Sequence, residues 1–196
     1  MSQLSEAEER LLLRLARQAL DAAVRHGALP QTLPVPEDLT GYLCESHGAF
    51  VTLRKEHELR GCVGSVESTE PLYQTVRECA VAAALRDYRF PPVRPDEVPD
   101  LHLEISVLSP LSDIEADHIE LGRHGLLISH QGRRGLLLPQ VAIEWNFNRE
   151  QFLDATARKA GLPQDIWRRG ARIQAFTTQV FREQPVAATK DARSNQ

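Results

Sequence analysis

Apolar residues recur at helical spacing from Ser5 to His26, with Leu12, Leu15, Ala16, Ala19 and Val24 on one stripe. Ser5 and Glu8 form a capping-box pattern at its start, and Gly27 supplies a stop. Three prolines between Leu29 and Pro36 predict an extended connection. Residues 48–55 and 58–65 then read as two strands of a hairpin turning at Glu56-His57. Thr69 and Pro71 open a second helix to about Leu85, with Leu72, Val76, Ala80 and Ala83 at helical spacing. Cys79 lies beside that stripe and reads as core. Four prolines in 89–99 predict a structured loop.

From Leu101 to Ser109 the pattern switches to strict alternation, placing Leu101, Leu103, Ile105 and Val107 on one face of a strand. Leu126–Ser129 and Gly135–Leu138 predict a second hairpin around Gln131-Gly132. Asn148 and Gln151 cap a helix reaching about Ala160, closed by Gly161. A short helical turn after Pro163 leads to a final strand over Arg172–Arg182. Trp145 and Phe147 read as core or packing residues. Residues 184–196 are polar and poor in apolar positions, and are expected to be disordered. Hairpins outnumber strand–helix–strand units, so the fold class is α+β, with antiparallel or mixed sheets flanked by helices.

Composition narrows the classes. The 196 residues are 42% hydrophobic and 26% charged, ordinary globular values that allow one substantial domain or two lobes sharing a core. A net charge of −4 gives no global field for nucleic acid or anionic membrane. Arg133-Arg134 and Arg168-Arg169 are the densest basic pairs, and paired arginines near turns are usually solvated. No apolar run approaches the roughly 20 residues of a membrane span, and residues 1–10 lack the features of a secretory signal. Three cysteines, Cys44, Cys62 and Cys79, make no disulfide framework; the expected compartment is the reducing cytoplasm.

The chemistry concentrates in Leu59-Arg60-Gly61-Cys62-Val63-Gly64-Ser65. In an extended strand side chains alternate between faces, so Arg60 and Cys62 point the same way, and two glycines strip bulk from beside the thiol. Charges about 5.5 Å apart interact by roughly 3 kcal/mol at an effective dielectric of about 20. A sheltered Arg60 would therefore bring the thiol toward ionisation near neutral pH, against the opposing cost of desolvation. The bland alternative is a small buried hydrophobe, the common fate of free cysteine. His57, about five residues along the strand, is roughly 16 Å away and too far to act as base. Glu104 and His102 sit opposite the apolar stripe of their strand, facing either a pocket or solvent. Arg89 precedes Phe90-Pro91-Pro92, a rigid loop that either presents its guanidinium to an anion or anchors itself. Gln140 either bonds a ligand or closes a turn.

Cys44-x-x-His47 has ligand-like spacing without a second pair; His118, His124 and His130 recur every six residues, and the segment between His124 and His130 lacks a carboxylate partner, so no metal site is assigned. Phosphate-loop, dinucleotide, serine-nucleophile and zinc-protease motifs are missing from the sequence, which leaves the cofactor unknown.

Leu59-Arg60-Gly61-Cys62-Val63-Gly64, preceded by Gly48-Ala49-Phe50-Val51-Thr52-Leu53, resembles the AMMECR family, whose prokaryotic members are called AmmeMemoRadiSam system protein A. Asp87–Val93, Leu103–Ser109, Gly135–Val141 and Lys159–Pro163 with Trp167 fit the same family in order, over roughly residues 5–183. The resemblance implies one domain over 1–183, built as two packed lobes with a cleft. It also implies association with a Memo-type protein and a radical S-adenosylmethionine enzyme, with a small molecule or peptide in the cleft. Two functions stay open. One is thiol chemistry at Cys62, with Arg60 as its tuner and Gly61, Gly64, Arg89, Glu104 and Gln140 contacting substrate. The other is a non-catalytic module that holds a peptide or metabolite for partner enzymes.

Overall fold

The computed structural model describes residues 4–27, 36, 39 and 41–183. The connection expected over Leu29–Pro36 and the polar tail from 184 lie almost wholly outside these residues. Helix α1 spans Glu6–His26, and both arms of its capping box form between Ser5 and Glu8. Its chain leaves through Gly27 at φ 76°, the left-handed region where glycine carries no Cβ penalty. Leu20 and Ala23 join the expected stripe in the core.

Strands β1 (Ala49–Lys55) and β2 (Glu58–Ser65) form the first hairpin, with Glu56 and His57 both at positive φ, as a tight primed turn requires. Helix α2 (Leu72–Leu85) packs on α1 and on both strands, and β3 (Leu101–Leu108) pairs with β1. The second lobe holds the short β4 (Ser112–Asp113), β5 (Gly125–His130), β6 (Arg133–Leu137), α3 (Pro139–Glu144) and α4 (Arg149–Lys159). The expected final strand is interrupted at Thr177, giving β7 (Arg172–Phe176) and β8 (Thr178–Arg182).

These strands make two four-stranded sheets, β2-β1-β3-β8 and β4-β7-β5-β6, antiparallel throughout. α1 and α2 cover one face of the first sheet, burying Leu12, Leu20, Val51, Leu53, Val76 and Ile105 together. α4 covers one face of the second, around Leu126, Ile128, Phe152 and Leu153. One antiparallel ribbon joins the sheets: β3 pairs with β8, β4 pairs with β7, and Ser109 clamps Thr177 between them. There the Ser109 amide donates to the Thr177 carbonyl and the Thr177 amide to Ser109 Oγ, each at 2.9 Å.

The face of the second sheet away from α4 turns toward the first lobe. Leu127 and Gln174, paired on that face, are buried, and Arg134 reaches Glu67 beyond β2 at 2.6 Å. Among the described residues no helix is long and apolar enough to cross a membrane.

The candidate site on the face of the first sheet

A slip in strand pairing decides where Cys62 points. Unbroken pairing from the Glu56-His57 turn would set Cys62 opposite Val51, inside the helix-covered core. The register shifts between Leu53 and Arg54, leaving Arg60 as the extra residue. Cys62 therefore pairs with Thr52, on the helix-free face, and Thr52 pairs in turn with Glu104, and Glu104 with Arg182. These four side chains form one row across four strands.

Within the row, Thr52 Oγ1 donates to Cys62 Sγ at 3.3 Å. The thiol is half-buried, and Thr52 is buried beneath it. Glu104 is largely covered, and its Oε2 lies 3.8 Å from Arg182 Nη2. Strands stand about 4.8 Å apart, so Glu104 and Cys62 lie on either side of Thr52, roughly two strand spacings from each other.

The backbone of Cys62 is held from outside the sheet. β2 is an edge strand, and side chains take the place of a further neighbour. Cys62 N–H donates to Asp87 Oδ2 at 2.8 Å, and Arg89 Nη2 donates to the Cys62 carbonyl at 3.1 Å. Asp87 is buried and also accepts from Arg89 Nε, Nη2 and its amide. Hydrogen bonding to Arg89, reinforced by the Cys62 amide, holds the Asp87 carboxyl far below the usual carboxylate range despite its burial. Asp87 keeps Arg89 protonated in return, and the nearby Cys62 acts in the same direction.

Arg60 has a different role from the expected one. Its Nε and Nη2 donate to the two oxygens of Glu97, each at 3.1 Å, and both side chains are mostly buried. The Arg60 hydrogen bonds, with the Arg94 amide, bring the Glu97 carboxyl down to about 2. Arg60 thus anchors the bulge to the 89–99 loop with its charge neutralised. The guanidinium bonded to the Cys62 residue is that of Arg89.

Both glycines make room for the protein itself. A Cβ at Gly61 would stand 2.2 Å from the Ala83 carbonyl of α2, and one at Gly64 would stand 2.2 Å from the Phe50 ring. Neither leaves open space for a visitor beside the sulfur, which corrects their assignment to substrate contact. Gln140 lies in the second lobe, in the first turn of α3, with Oε1 buried and unpartnered. Trp145 is 70% exposed and stacks on Phe147 rather than entering a core. His57 and His102 are exposed, and His47 stacks on Tyr42. Burial pushes the Cys79 thiol up to about 11, while Cys44 is exposed. The arginine pairs are engaged: Arg134 with Glu67, Arg168 with Glu150, Arg169 with Asp165, and Arg133 with the Gly161 carbonyl.

A groove of about 970 Å³ lies elsewhere, between α1, the 95–101 loop and the end of β8, touching the row only at Arg182. Many of its charges already have partners, Arg17 with Glu183, Arg10 with Glu6, and Glu9 with Gln179. The convergence of thiol, hydroxyl, carboxylate and guanidinium is on the sheet face instead.

Sequence reasoning missed Asp87, Thr52 and Glu97. Asp87 stands in a motif block beside Arg89, so its signal was present. Thr52 and Glu97 depend on the bulge, which no local pattern announces.

Two antiparallel sheets joined by one ribbon, with a cysteine on a side-chain-capped edge strand, define an α+β protein of a particular type. The AMMECR1 family model matches residues 13–181, and the chain belongs to that family. A protein of Methanothermobacter thermautotrophicus is 42% identical over 188 residues, 92% of this chain and 96% of that one. Protein TK0174 of Thermococcus kodakarensis is 40% identical over 185 residues, 88% of this chain and 89% of its own. The crystal structure of the uncharacterized protein PH0010 from Pyrococcus horikoshii superposes with a TM-score of 0.81 at 37% identity, covering 89% of this chain and 90% of that chain.

Proposed function

We propose that the helix-free face of the first sheet carries out thiol-based group transfer, with Cys62 as nucleophile. The observation that carries this reading is the hydrogen bond from buried Thr52 to the sulfur of half-buried Cys62. In the step proposed, the sulfur attacks an activated carbonyl carbon of a small molecule or partner protein. A sulfur–carbon bond forms, the bond to the leaving group breaks, and the thiol proton departs with that group. Thr52 steadies the developing thiolate. Glu104, across the gap, holds an N–H or O–H of the substrate. Asp87 and Arg89 fix the Cys62 backbone so that the sulfur does not wander from its attack position. The Memo-like and radical S-adenosylmethionine proteins implied by the resemblance enter the same proposal as donor or acceptor of the transferred group.

A second reading is supported by the sulfur's one side-chain hydrogen-bond partner among the described residues being a hydroxyl rather than a basic group. On that reading the face binds a metabolite or peptide without reacting, and Cys62 fills space. Iodoacetamide labelling from pH 5 to 9, followed at each cysteine by mass spectrometry, separates the two. A nucleophile labels at least about tenfold faster at pH 7 than exposed Cys44. Labelling of Cys62 no faster than Cys44 across that range would favour the binding module.

A further inference from the structure

The Arg89 guanidinium has donors that the fold does not use. Of its five N–H groups, Nε bonds Asp87 Oδ1 at 2.9 Å. Nη2 bonds Asp87 Oδ2 at 2.7 Å and the Cys62 carbonyl at 3.1 Å. Capping the edge strand therefore accounts for three donors, and both hydrogens of Nη1 remain. The side chain is 44% exposed while its anchor Asp87 is 3% exposed, so the free edge faces outward from a rigid base. The guanidinium also lies over the Phe90 ring, 5.5 Å from its centroid. Most other arginines here are paired with carboxylates at the surface or closed into buried pairs. Arg89 alone among those described is bonded to the residue that bears the candidate nucleophile.

We propose that the site takes a substrate carrying an oxyanion, a carboxylate or phosphate, held by the free edge of Arg89 while its reacting carbon meets Cys62. This rests on the thiol reading above and narrows its substrate class. Summing the hydrogen bond to the Cys62 carbonyl with ordinary bond lengths sets an upper bound of roughly 12 Å on the separation of Nη1 and the sulfur. A substrate whose anion stands several bonds from the reacting carbon spans a separation within that bound. A planar guanidinium already oriented by Asp87 loses little freedom in binding it. At the other side, Glu104 already has a cation beside it, Arg182 at 3.8 Å, and offers no donor of its own to an anion.

The test compares three reagents at Cys62: neutral iodoacetamide, iodoacetate, and N-iodoacetylglycine, whose carboxylate stands further from the reacting carbon. Each rate is divided by the rate of the same reagent with free glutathione at matched pH. The expected result is that at least one anionic reagent gains about fivefold or more over iodoacetamide. Arg89→Gln should abolish that gain, read as the ratio of anionic to neutral reagent within the variant so that a general loss of Cys62 reactivity cancels, and Arg89→Lys should keep part of it. Where Arg89→Gln does not fold, competition on the unaltered protein decides: inorganic phosphate or acetate should slow the anionic reagents and leave iodoacetamide unaffected. The stronger competitor identifies which oxyanion is preferred. Fast iodoacetamide labelling with no anionic gain, or a gain that survives folded Arg89→Gln, overturns the substrate class and leaves the nucleophile standing. Slow labelling by all three reagents overturns both.

Discussion

Thr52 and Cys62 face each other across β1 and β2 because the pairing slips by one residue at Arg60, and the Thr52 hydroxyl then bonds the sulfur. The slip converts what would have been a core position into one on the helix-free face of the sheet. Hydroxyl and thiol are thus products of one backbone irregularity.

Thr52→Val keeps the shape and removes the donor. A hydrogen bond to a charged group is worth about 1.5 kcal/mol, so iodoacetamide labelling of Cys62 at pH 7 should slow about tenfold. Thermal stability should move by only a few degrees. Unchanged labelling would show that the hydroxyl does not support the thiolate.

Glu97 predicts an acid-sensitive anchor. Its folded pKa, about 2, lies below the unfolded value of about 4.3. The stabilisation is therefore complete above about pH 5 and lost as pH falls toward 2. Glu97→Gln should cost about 3 kcal/mol at pH 7, and the gap to the native protein should close by about pH 2. Urea unfolding at pH 7, 5 and 3 checks this; a gap that stays constant over that range refutes the assignment.

Gly61→Ala drives a methyl into the Ala83 carbonyl, a backbone atom that cannot swing aside. Overpacking of this kind costs about 3 kcal/mol where the backbone must shift. Chemical denaturation should show that loss. A variant within about 0.5 kcal/mol of the native protein would mean that α2 is free to retreat.

Gln140 buries a carbonyl oxygen without a partner. Gln140→Met removes the unsatisfied acceptor at similar volume and should stabilise by about 1 kcal/mol. A loss of stability instead would reveal a bound water or ligand at that oxygen.

Much of the fold was legible because its signals are local. The capping boxes at Ser5 and Asn148, the positive-φ turns at Glu56-His57 and Gln131-Gly132, and the alternation through β3 all form as their residues dictate. The site was legible only in part. Cys62, Arg89 and Glu104 are drawn to one region, but simple alternation assigned Arg60 to the thiol and the glycines to a ligand. Bulge position depends on the distant partner Glu97, and glycine bulk depends on how closely α2 and Phe50 approach. Neither contact leaves a periodic trace. Trp145 misled for a related reason: a large aromatic suggests core, yet the short α3 carries it outward.

The crossing ribbon has a consequence for how the chain is made. The outer strand β8 of the first sheet comes from the extreme end of the described chain, after the entire second lobe has been synthesised. A nascent polypeptide emerging amino end first exposes the unfilled edge of β3, including the amide of Leu103 that Glu183 finally receives. The second lobe thereby behaves as an insertion that must finish before its host can close, and residues 178–183 act as the latch.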